Sequence, residues 1–221
     1  MGKMKDKLNY RYETLEIGDL DIHVRSLRDV QEYQDDENIA SDVGISDSQW
    51  SISGVLWPSS FVLAKIMEKK DLNELKILEV GCGLALASIV SKIRGADVTA
   101  TDNNPAVKNF LEENIRINKC SDIPFKRADW KDGTMSSDEK YDLIIGSDIL
   151  YEKEHPGDLC NFITNNANEN CEVIIVDPNR GNKNQFTKIM KSNHFEHNLD
   201  QEDHLERFSI KFRGSVNYYQ R

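Results

Sequence analysis

Hydrophobic and polar positions follow two patterns along the chain, strict alternation near its start and short apolar runs further on. The alternating segments Tyr12–Ile17 and Leu20–Val24 are separated by Gly18-Asp19, so they predict a β-hairpin. From residue 75 onward, short β-rich runs alternate with segments of helical periodicity. Strands that alternate with helices predict a mostly parallel sheet with helices on both faces. The expected fold class is therefore α/β.

The individual elements follow this alternation to the end of the chain. We predict strands at Lys76–Val80, Asp97–Thr101, Phe125–Asp129, Tyr141–Ile145 and Glu172–Val176. We predict helices that begin at Pro58 or Ser59 and at Asn104-Pro105, and a further helix around Phe186, Ile189 and Met190. The segments Phe195–Leu199 and Arg207–Gly214 predict an antiparallel hairpin at the sheet edge.

The first part of the chain differs from the remainder in its composition. After the hairpin, the stretch from Gln31 to Ser48 is acidic and poor in apolar residues, so it predicts a loop or lid. A chain of 221 residues has the length of one large α/β domain with a short extension. We therefore predict an N-terminal hairpin and lid extension over residues 1–53 and a larger domain over residues 54–221.

Composition limits the class of protein and its partners. Hydrophobic residues make up 38% and charged residues 30% of the chain, which argues against disordered, collagen-like and membrane proteins. The longest apolar run, Val80–Ala87, is far shorter than the ~18 residues of a membrane-spanning helix. The formal net charge of −10 repels nucleic-acid phosphates and favours basic partners. We expect neither a nucleic-acid nor a membrane partner.

The cysteines indicate the compartment. Cys82, Cys120, Cys160 and Cys171 form no CxxC pair, so neither a zinc site nor a disulfide framework is predicted. No apolar segment follows the lysines at the start of the chain, which argues against a secretory signal. Together these features favour a reducing, cytoplasmic location.

The strongest local signal is the turn Gly81-Cys82-Gly83, which follows a predicted strand and precedes a helix. Glycines let the backbone turn tightly and approach a ligand closely, as in nucleotide-binding sites. A third glycine of the dinucleotide-binding pattern would fall at position 86, where the chain has Leu86, which argues against NAD. Taken alone, the turn is equally typical of a tight connection between strand and helix.

Two acidic strand ends follow the glycine turn. Asp102 ends the next strand, 19 residues beyond Gly83, close to the offset of ~20 residues at which a carboxylate meets a ribose diol. Its alternative role is to cap the helix that follows. Asp129-Trp130 ends the third strand and could supply a carboxylate for an adenine amino group and an indole to cover its ring. Taken singly, Trp130 is more typical of a core or rim position.

Polar residues also follow the fourth strand. Ser147, Asp148 and Tyr151 come directly after the apolar run that begins at Tyr141. Ligands of open α/β sheets bind beyond the carboxyl ends of the strands, so Asp148 and Tyr151 are expected to face whatever lies over a bound cofactor. The alternative is a capped loop with a half-buried tyrosine.

These stretches together resemble a known family. Glu79–Gly83, Thr101-Asp102, Asp129-Trp130 and above all Asp148–Tyr151 are similar to the motifs of the seven-β-strand methyltransferases that use S-adenosylmethionine, and more narrowly to the DxxY group of protein-lysine methyltransferases. Trp57 resembles that group's tryptophan before the first helix, and Asp177-Pro178-Asn179-Arg180 resembles a DPxR stretch in some members. The resemblance covers Gly54–Gly181. It implies a Rossmann-like seven-stranded sheet with an antiparallel C-terminal edge hairpin.

The resemblance also implies roles for individual residues. Asp148 and Tyr151 would be the catalytic pair that meets the incoming nucleophile. The implied S-adenosylmethionine-binding residues are Trp57, Glu79, Gly81, Cys82, Gly83, Asp102, Asn103, Asp129, Trp130 and Ser147. Glu79 would either order the turn or meet the amino group of the cofactor. No metal is required.

The function implied is methyl transfer to a lysine side chain of a protein, by an enzyme expected to be a monomer. Two alternatives stay open. One is a methyltransferase for a small-molecule amine on the same fold, and the other is a module that binds the cofactor without turnover.

Overall fold

The computed structural model describes residues 9–29, 42–46, 50–133, 135, 139–200 and 212–221. The strands are β1 (Tyr10–Ile17), β2 (Leu20–Leu27), β3 (Lys76–Val80), β4 (Asp97–Asp102), β5 (Phe125–Arg127), β6 (Tyr141–Ser147), β7 (Ala167–Asp177), β8 (Glu196–Asp200) and β9 (Ser215–Gln220). The helices are α1 (Pro58–Lys69), α2 (Leu86–Ile93), α3 (Val107–Ile117), α4 (His155–Asn166) and α5 (Lys183–Ser192). Short 3-10 turns cover Ser51–Gly54 and Trp130–Asp132.

Seven strands form one sheet in the order β5-β4-β3-β6-β7-β9-β8, and β1 pairs with β2 in a separate hairpin. The five strands from β5 to β7 are parallel to their neighbours, whereas β9 is antiparallel to both β7 and β8. This topology confirms the predicted Rossmann-like α/β fold with a separate N-terminal hairpin. The carboxyl ends of β3, β4 and β6 therefore meet at one edge, where such folds bind ligands.

Two predicted strands differ from the structure. The second strand of the C-terminal hairpin is Ser215–Gln220 rather than Arg207–Gly214, of which residues 207–211 lie outside the described residues. This strand has partners on both sides, so the edge of the sheet is β8. The third strand ends at Arg127, two residues before the predicted end, because Asp129 instead caps the 3-10 turn that follows. Most of the predicted lid over residues 31–48 also lies outside the described residues.

Two apolar layers cover the two faces of the sheet. Alternate residues of β3 point in opposite directions, so Ile77 belongs to one layer and Leu78 to the other. The first layer packs against α1, α2, α3 and the β1–β2 hairpin, and the second packs against α4 and α5. The layers hold the strands rigidly beneath the polar edge of the sheet.

The hairpin is tied to α3 by buried and half-buried amides. The backbone N–H of Arg25 donates to Oδ1 of Asn114 at 2.8 Å, and that of His23 donates to Oδ1 of Asn118 at 2.8 Å. Asn114 is fully buried, and its side chain also donates to the carbonyl oxygen of Leu84 at 3.3 Å. The hairpin thus packs onto the helices that flank the glycine turn. In the part of the chain that the structure describes, every helix is too short or too polar to cross a membrane.

Candidate active site

The glycine turn after β3 is built around two residues with left-handed backbone conformation. Gly81 has φ +62° and Gly83 has φ +50°, values that side chains disfavour. A Cβ on Gly81 would lie 2.8 Å from Cγ2 of Ile149, and a Cβ on Gly83 would lie 3.3 Å from the carbonyl oxygen of Ser53. The crowding and the positive φ together favour glycine at both positions, and both glycines line the cavity together with Trp130.

Glu79 is buried next to this turn and does not line the cavity. One carboxylate oxygen of Glu79 accepts hydrogen bonds from the backbone N–H of Ser88, at 3.0 Å, and from the Ser88 hydroxyl. Burial raises the pKa of the Glu79 carboxyl to about 7, against the lowering effect of the Ser88 hydrogen bonds. Of the two roles that the resemblance left open, this contact corresponds to ordering the turn, because it ties the end of β3 to α2. Cys82 is also buried outside the cavity lining.

Asp102 joins the end of β4 to the glycine turn. Its Oδ2 accepts from the backbone N–H of Gly83 at 3.0 Å, and its Oδ1 accepts from that of Asn104 at 2.9 Å. Burial raises the pKa of the Asp102 carboxyl, and these backbone donors oppose that rise. Asp102 does not cap α3, which begins at Val107 without a side-chain cap. Its carboxylate therefore faces the cavity in a fixed position.

The third strand end supplies a polar pair and an indole. Nδ2 of Asn103 donates to Oδ2 of Asp129 at 3.4 Å, and Oδ1 of Asp129 accepts from the backbone N–H of Lys131 at 3.1 Å. The Trp130 ring meets the His155 ring edge to face, with 5.1 Å between centroids. Asp129 and Trp130 thus line one wall.

Asp148 follows β6 in a strained left-handed conformation with φ 55°. Its backbone N–H donates to the carbonyl oxygen of Val176 at 2.9 Å, which fixes the residue against β7. Both carboxylate oxygens are engaged by Arg180, whose Nε donates to Oδ1 at 2.7 Å and whose Nη2 donates to Oδ2 at 3.1 Å. The Asp148 side chain is 6% exposed and that of Arg180 is 43% exposed. The carboxylate of this ion pair is therefore buried, whereas the guanidinium is partly exposed to solvent.

Tyr151 lies at the mouth of the site. Its ring meets the His155 ring edge to face, with 4.7 Å between centroids. Desolvation of the hydroxyl, together with the charges of Asp102, Glu152 and Asp148, raises the pKa of Tyr151 to about 12. The phenol is therefore neutral throughout the physiological pH range.

These elements enclose a cavity of about 510 Å³, within the range of ~300–1,000 Å³ typical of ligand sites. Ten of the twelve residues predicted from the sequence line it, namely Trp57, Gly81, Gly83, Asp102, Asn103, Asp129, Trp130, Ser147, Asp148 and Tyr151. Glu79 and Cys82 do not. The Trp57 indole N–H donates to the carbonyl oxygen of Ile52 at 3.1 Å, which holds the ring at the wall.

Sequence reasoning missed several residues of this cavity. Its lining also includes Arg180, His155, Glu152, Glu154 and Asp158. His155 and Asp158 stand at the start of α4, a helix that the sequence pattern did not predict. Arg180 could have been found, because it belongs to the DPxR stretch after the strand next to β6.

The donor set fits S-adenosylmethionine. Six carboxylates and two cationic side chains line the cavity, an excess of negative charge that suits a sulfonium and an ammonium group. Gly81 and Gly83 line the cavity without side chains, Asp102 offers a carboxylate to ribose hydroxyls, and Trp130 offers an aromatic face to a purine.

The sheet topology and the glycine turn define a class I methyltransferase fold, and solved structures agree. The fold matches T. thermophilus 16S rRNA N2 G1207 methyltransferase in complex with AdoMet and guanosine, with a TM-score of 0.68 and 11% identity over 97% of this chain and 51% of that one. It also matches ribosomal protein L11 methylase from Lactobacillus delbrueckii subsp. bulgaricus, with a TM-score of 0.58 and 21% identity over 74% and 78% of the two chains.

Residues 39–193 match the model of the lysine methyltransferase family, and the chain belongs to that family. It is 32% identical to protein N-lysine methyltransferase METTL21A of Danio rerio over 47% of this chain and 50% of the relative. It is 33% identical to a histidine protein methyltransferase 1 homolog of Dictyostelium discoideum over 55% of this chain and 41% of the relative. The chain thus spans about half or less of the length of these two relatives. S-adenosylmethionine is the cofactor of this class, as the sequence motifs predicted.

Proposed function

We propose that the protein transfers a methyl group from S-adenosylmethionine to the side-chain amine of a lysine in a protein substrate. The observation that carries this proposal is the position of Asp148 and Tyr151, which stand together at the open end of an acidic cavity next to the glycine turn. Membership of the lysine methyltransferase family supports the same acceptor. When bound, the cofactor supplies an activated methyl group on a sulfonium.

The chain's own residues must position a neutral amine. With a reference pKa of ~10.4, only about one lysine in 2,500 is neutral at pH 7, a cost of ~4.6 kcal/mol. Asp148 is fixed by its backbone contact with β7, so its carboxylate can accept an N–H of the amine and aim the nitrogen. A neutral Tyr151 hydroxyl can accept a second N–H without adding a negative charge that would favour the ammonium form.

The test is transfer of label from tritiated S-adenosylmethionine in a cell lysate. The purified protein should label a discrete protein band, and acid hydrolysis of that band should release N-methyllysine. The same lysate with the Asp148→Asn variant is the control for methyltransferases already present. Label confined to the small-molecule fraction would support a small-amine substrate instead, and cofactor binding without any transfer would support a binding module.

A histidine acceptor is the second candidate, because one relative is a histidine protein methyltransferase homolog. Hydrolysis of the labelled band distinguishes the two acceptors, since methylhistidine and methyllysine separate by chromatography. We further propose that the protein acts as a monomer in the cytoplasm, without a nucleic-acid partner; sedimentation of the purified chain and fractionation of cells test these points.

A further inference from the structure

The ion pair between Asp148 and Arg180 bears on the protonation state of the acceptor amine, which the proposed function does not explain. An isolated carboxylate beside the acceptor amine stabilises its ammonium form, which cannot attack a methyl group. In this structure the Asp148 carboxylate is not isolated, because Arg180 binds both of its oxygens. Two donors from one planar guanidinium form the strongest type of protein ion pair.

The geometry leaves Asp148 able to bind a further donor. A carboxylate has about four lone-pair positions, and the bidentate contact with Arg180 uses two of them. The carboxylate can therefore still accept an N–H from a substrate amine while its charge is balanced. Arg180 is itself held in place, since its guanidinium carbon lies 5.6 Å from the centroid of the Trp57 ring.

The charged groups around the ion pair explain why the charge of Asp148 needs to be neutralised. The titratable groups that interact with the pair are Asp177 on β7 and Tyr151 after β6. Around them, Lys183 on α5 interacts with Asp177, and Asp102 on β4 and Glu152 interact with Tyr151. The cavity adds Asp129, Lys131, Glu154, His155 and Asp158. Carboxylates outnumber lysines in this set. Lys183 is bound to Oδ1 of Asn179 at 2.9 Å and Oγ of Ser215 at 3.1 Å, so its ammonium is engaged away from Asp148.

We propose that Arg180 is a positioning residue that neutralises Asp148, so that Asp148 can aim the acceptor amine without holding it in the ammonium form. This proposal rests on the proposed function. It assigns the DPxR arginine the task of controlling the proton on the acceptor, while Asp148 controls its direction. Removal of Arg180 should therefore favour a bound ammonium group at this position.

Sinefungin provides a defined probe, because it is an analogue of S-adenosylmethionine in which a carbon replaces the sulfonium sulfur and a primary amine on that carbon replaces the methyl group. Its affinity is compared by calorimetry with that of S-adenosylhomocysteine, which lacks the amine. At pH 7 the Arg180→Gln variant should bind sinefungin about tenfold tighter relative to adenosylhomocysteine than the wild type does, which corresponds to about one pKa unit on the amine. Proton release on binding, measured in two buffers of different ionisation enthalpy, should be smaller in the variant.

Two variants serve as controls. Arg180→Lys keeps the charge and should retain the wild-type affinity ratio within about threefold, although it loses the planar fork. Arg116→Gln removes a surface arginine that binds Glu113 far from the cavity, and it should leave the ratio unchanged. Once a labelled protein band has been identified as a substrate, the pH–rate profile provides an additional readout. In the Arg180→Gln variant this profile should shift to alkaline pH by about one unit.

The possible outcomes test the role of Arg180 and the proposed function separately. An unchanged affinity ratio in Arg180→Gln overturns the role of Arg180. A gain that is equal at pH 6.5 and pH 9.5 also overturns it, because displacement of a merely obstructing side chain would not depend on the proton of the amine. Failure of the wild-type protein to bind adenosylhomocysteine would instead contradict the proposed function.

Discussion

The two acidic residues that define the ends of the cavity are held in contrasting ways. The carboxylate of Asp102 is bound by two backbone N–H groups, from Gly83 and Asn104, whereas that of Asp148 is bound by the partly exposed side chain of Arg180. Backbone donors in a packed sheet cannot be withdrawn, but an exposed arginine can. We therefore expect the end of the cavity at Asp102 to be built in advance, and the end at Asp148 to be able to adjust its charge and contacts.

The strongest test of this contrast is Asp148→Asn. Asparagine tolerates the left-handed conformation at φ 55°, so the backbone should persist while the carboxylate charge is lost. We expect kcat for the labelled band to fall by about 10²–10³, roughly 3–4 kcal/mol, because the amine is no longer aimed. Adenosylhomocysteine affinity should change by less than about twofold. An equal loss in both measurements would indicate that Asp148 is structural.

The Glu79 carboxyl, next to the glycine turn, should make the free energy of unfolding depend on pH. Its folded pKa of about 7 lies above the ordinary value of 4.5, so the folded protein keeps a proton that the unfolded chain releases. The free energy of unfolding should therefore fall as pH rises from about 4.5 to 7, by about 3 kcal/mol, and stay lower above that window. Glu79→Gln should remove this slope in urea denaturation. A slope of wild-type size in the variant would place the titration elsewhere.

Gly81→Ala examines the turn directly. A Cβ at this position combines strain at φ +62° with a contact of 2.8 Å to Ile149, so the turn must shift. We expect adenosylhomocysteine affinity to fall by roughly 30-fold, about 2 kcal/mol. Gly95→Ala is the matched control, because Gly95 has φ +87° but no atom within 4 Å of an added Cβ. That control should lower only the free energy of unfolding; an equal loss of affinity there would rule out a local effect at Gly81.

The smallest effect is expected for Tyr151→Phe. The substitution removes one hydroxyl and keeps the ring contact with His155, so kcat/KM should fall about fivefold, near 1 kcal/mol. Because the pKa of Tyr151 is about 12, the pH–rate profile between pH 6.5 and 9.5 should keep its shape in the variant. A lost alkaline limb would mean that Tyr151 titrates within this range.

Local sequence signals predicted much of the fold, and the family resemblance named ten of the residues that line the cavity. Pro58 begins α1 and the strands after residue 75 alternate with helices, since the signals for these elements are short-range. Helix α4 was missed because Gly157 and three asparagines weaken its pattern, and burial of Leu159 and Phe162 stabilises it instead. The pairing of Asp148 with Arg180 depends on the register of β6 against β7, which local patterns do not encode.

The insertion of β9 between β7 and β8 has a consequence for the order of assembly. Among the described residues, strand β8 is hydrogen-bonded in the sheet to β9 alone, although it precedes β9 in the chain. It can join the seven-stranded sheet only through residues 215–220, which pair with β7. Until these residues pair, the hydrogen-bonding edge of β7 stays open during synthesis, and an open strand edge favours edge-to-edge aggregation.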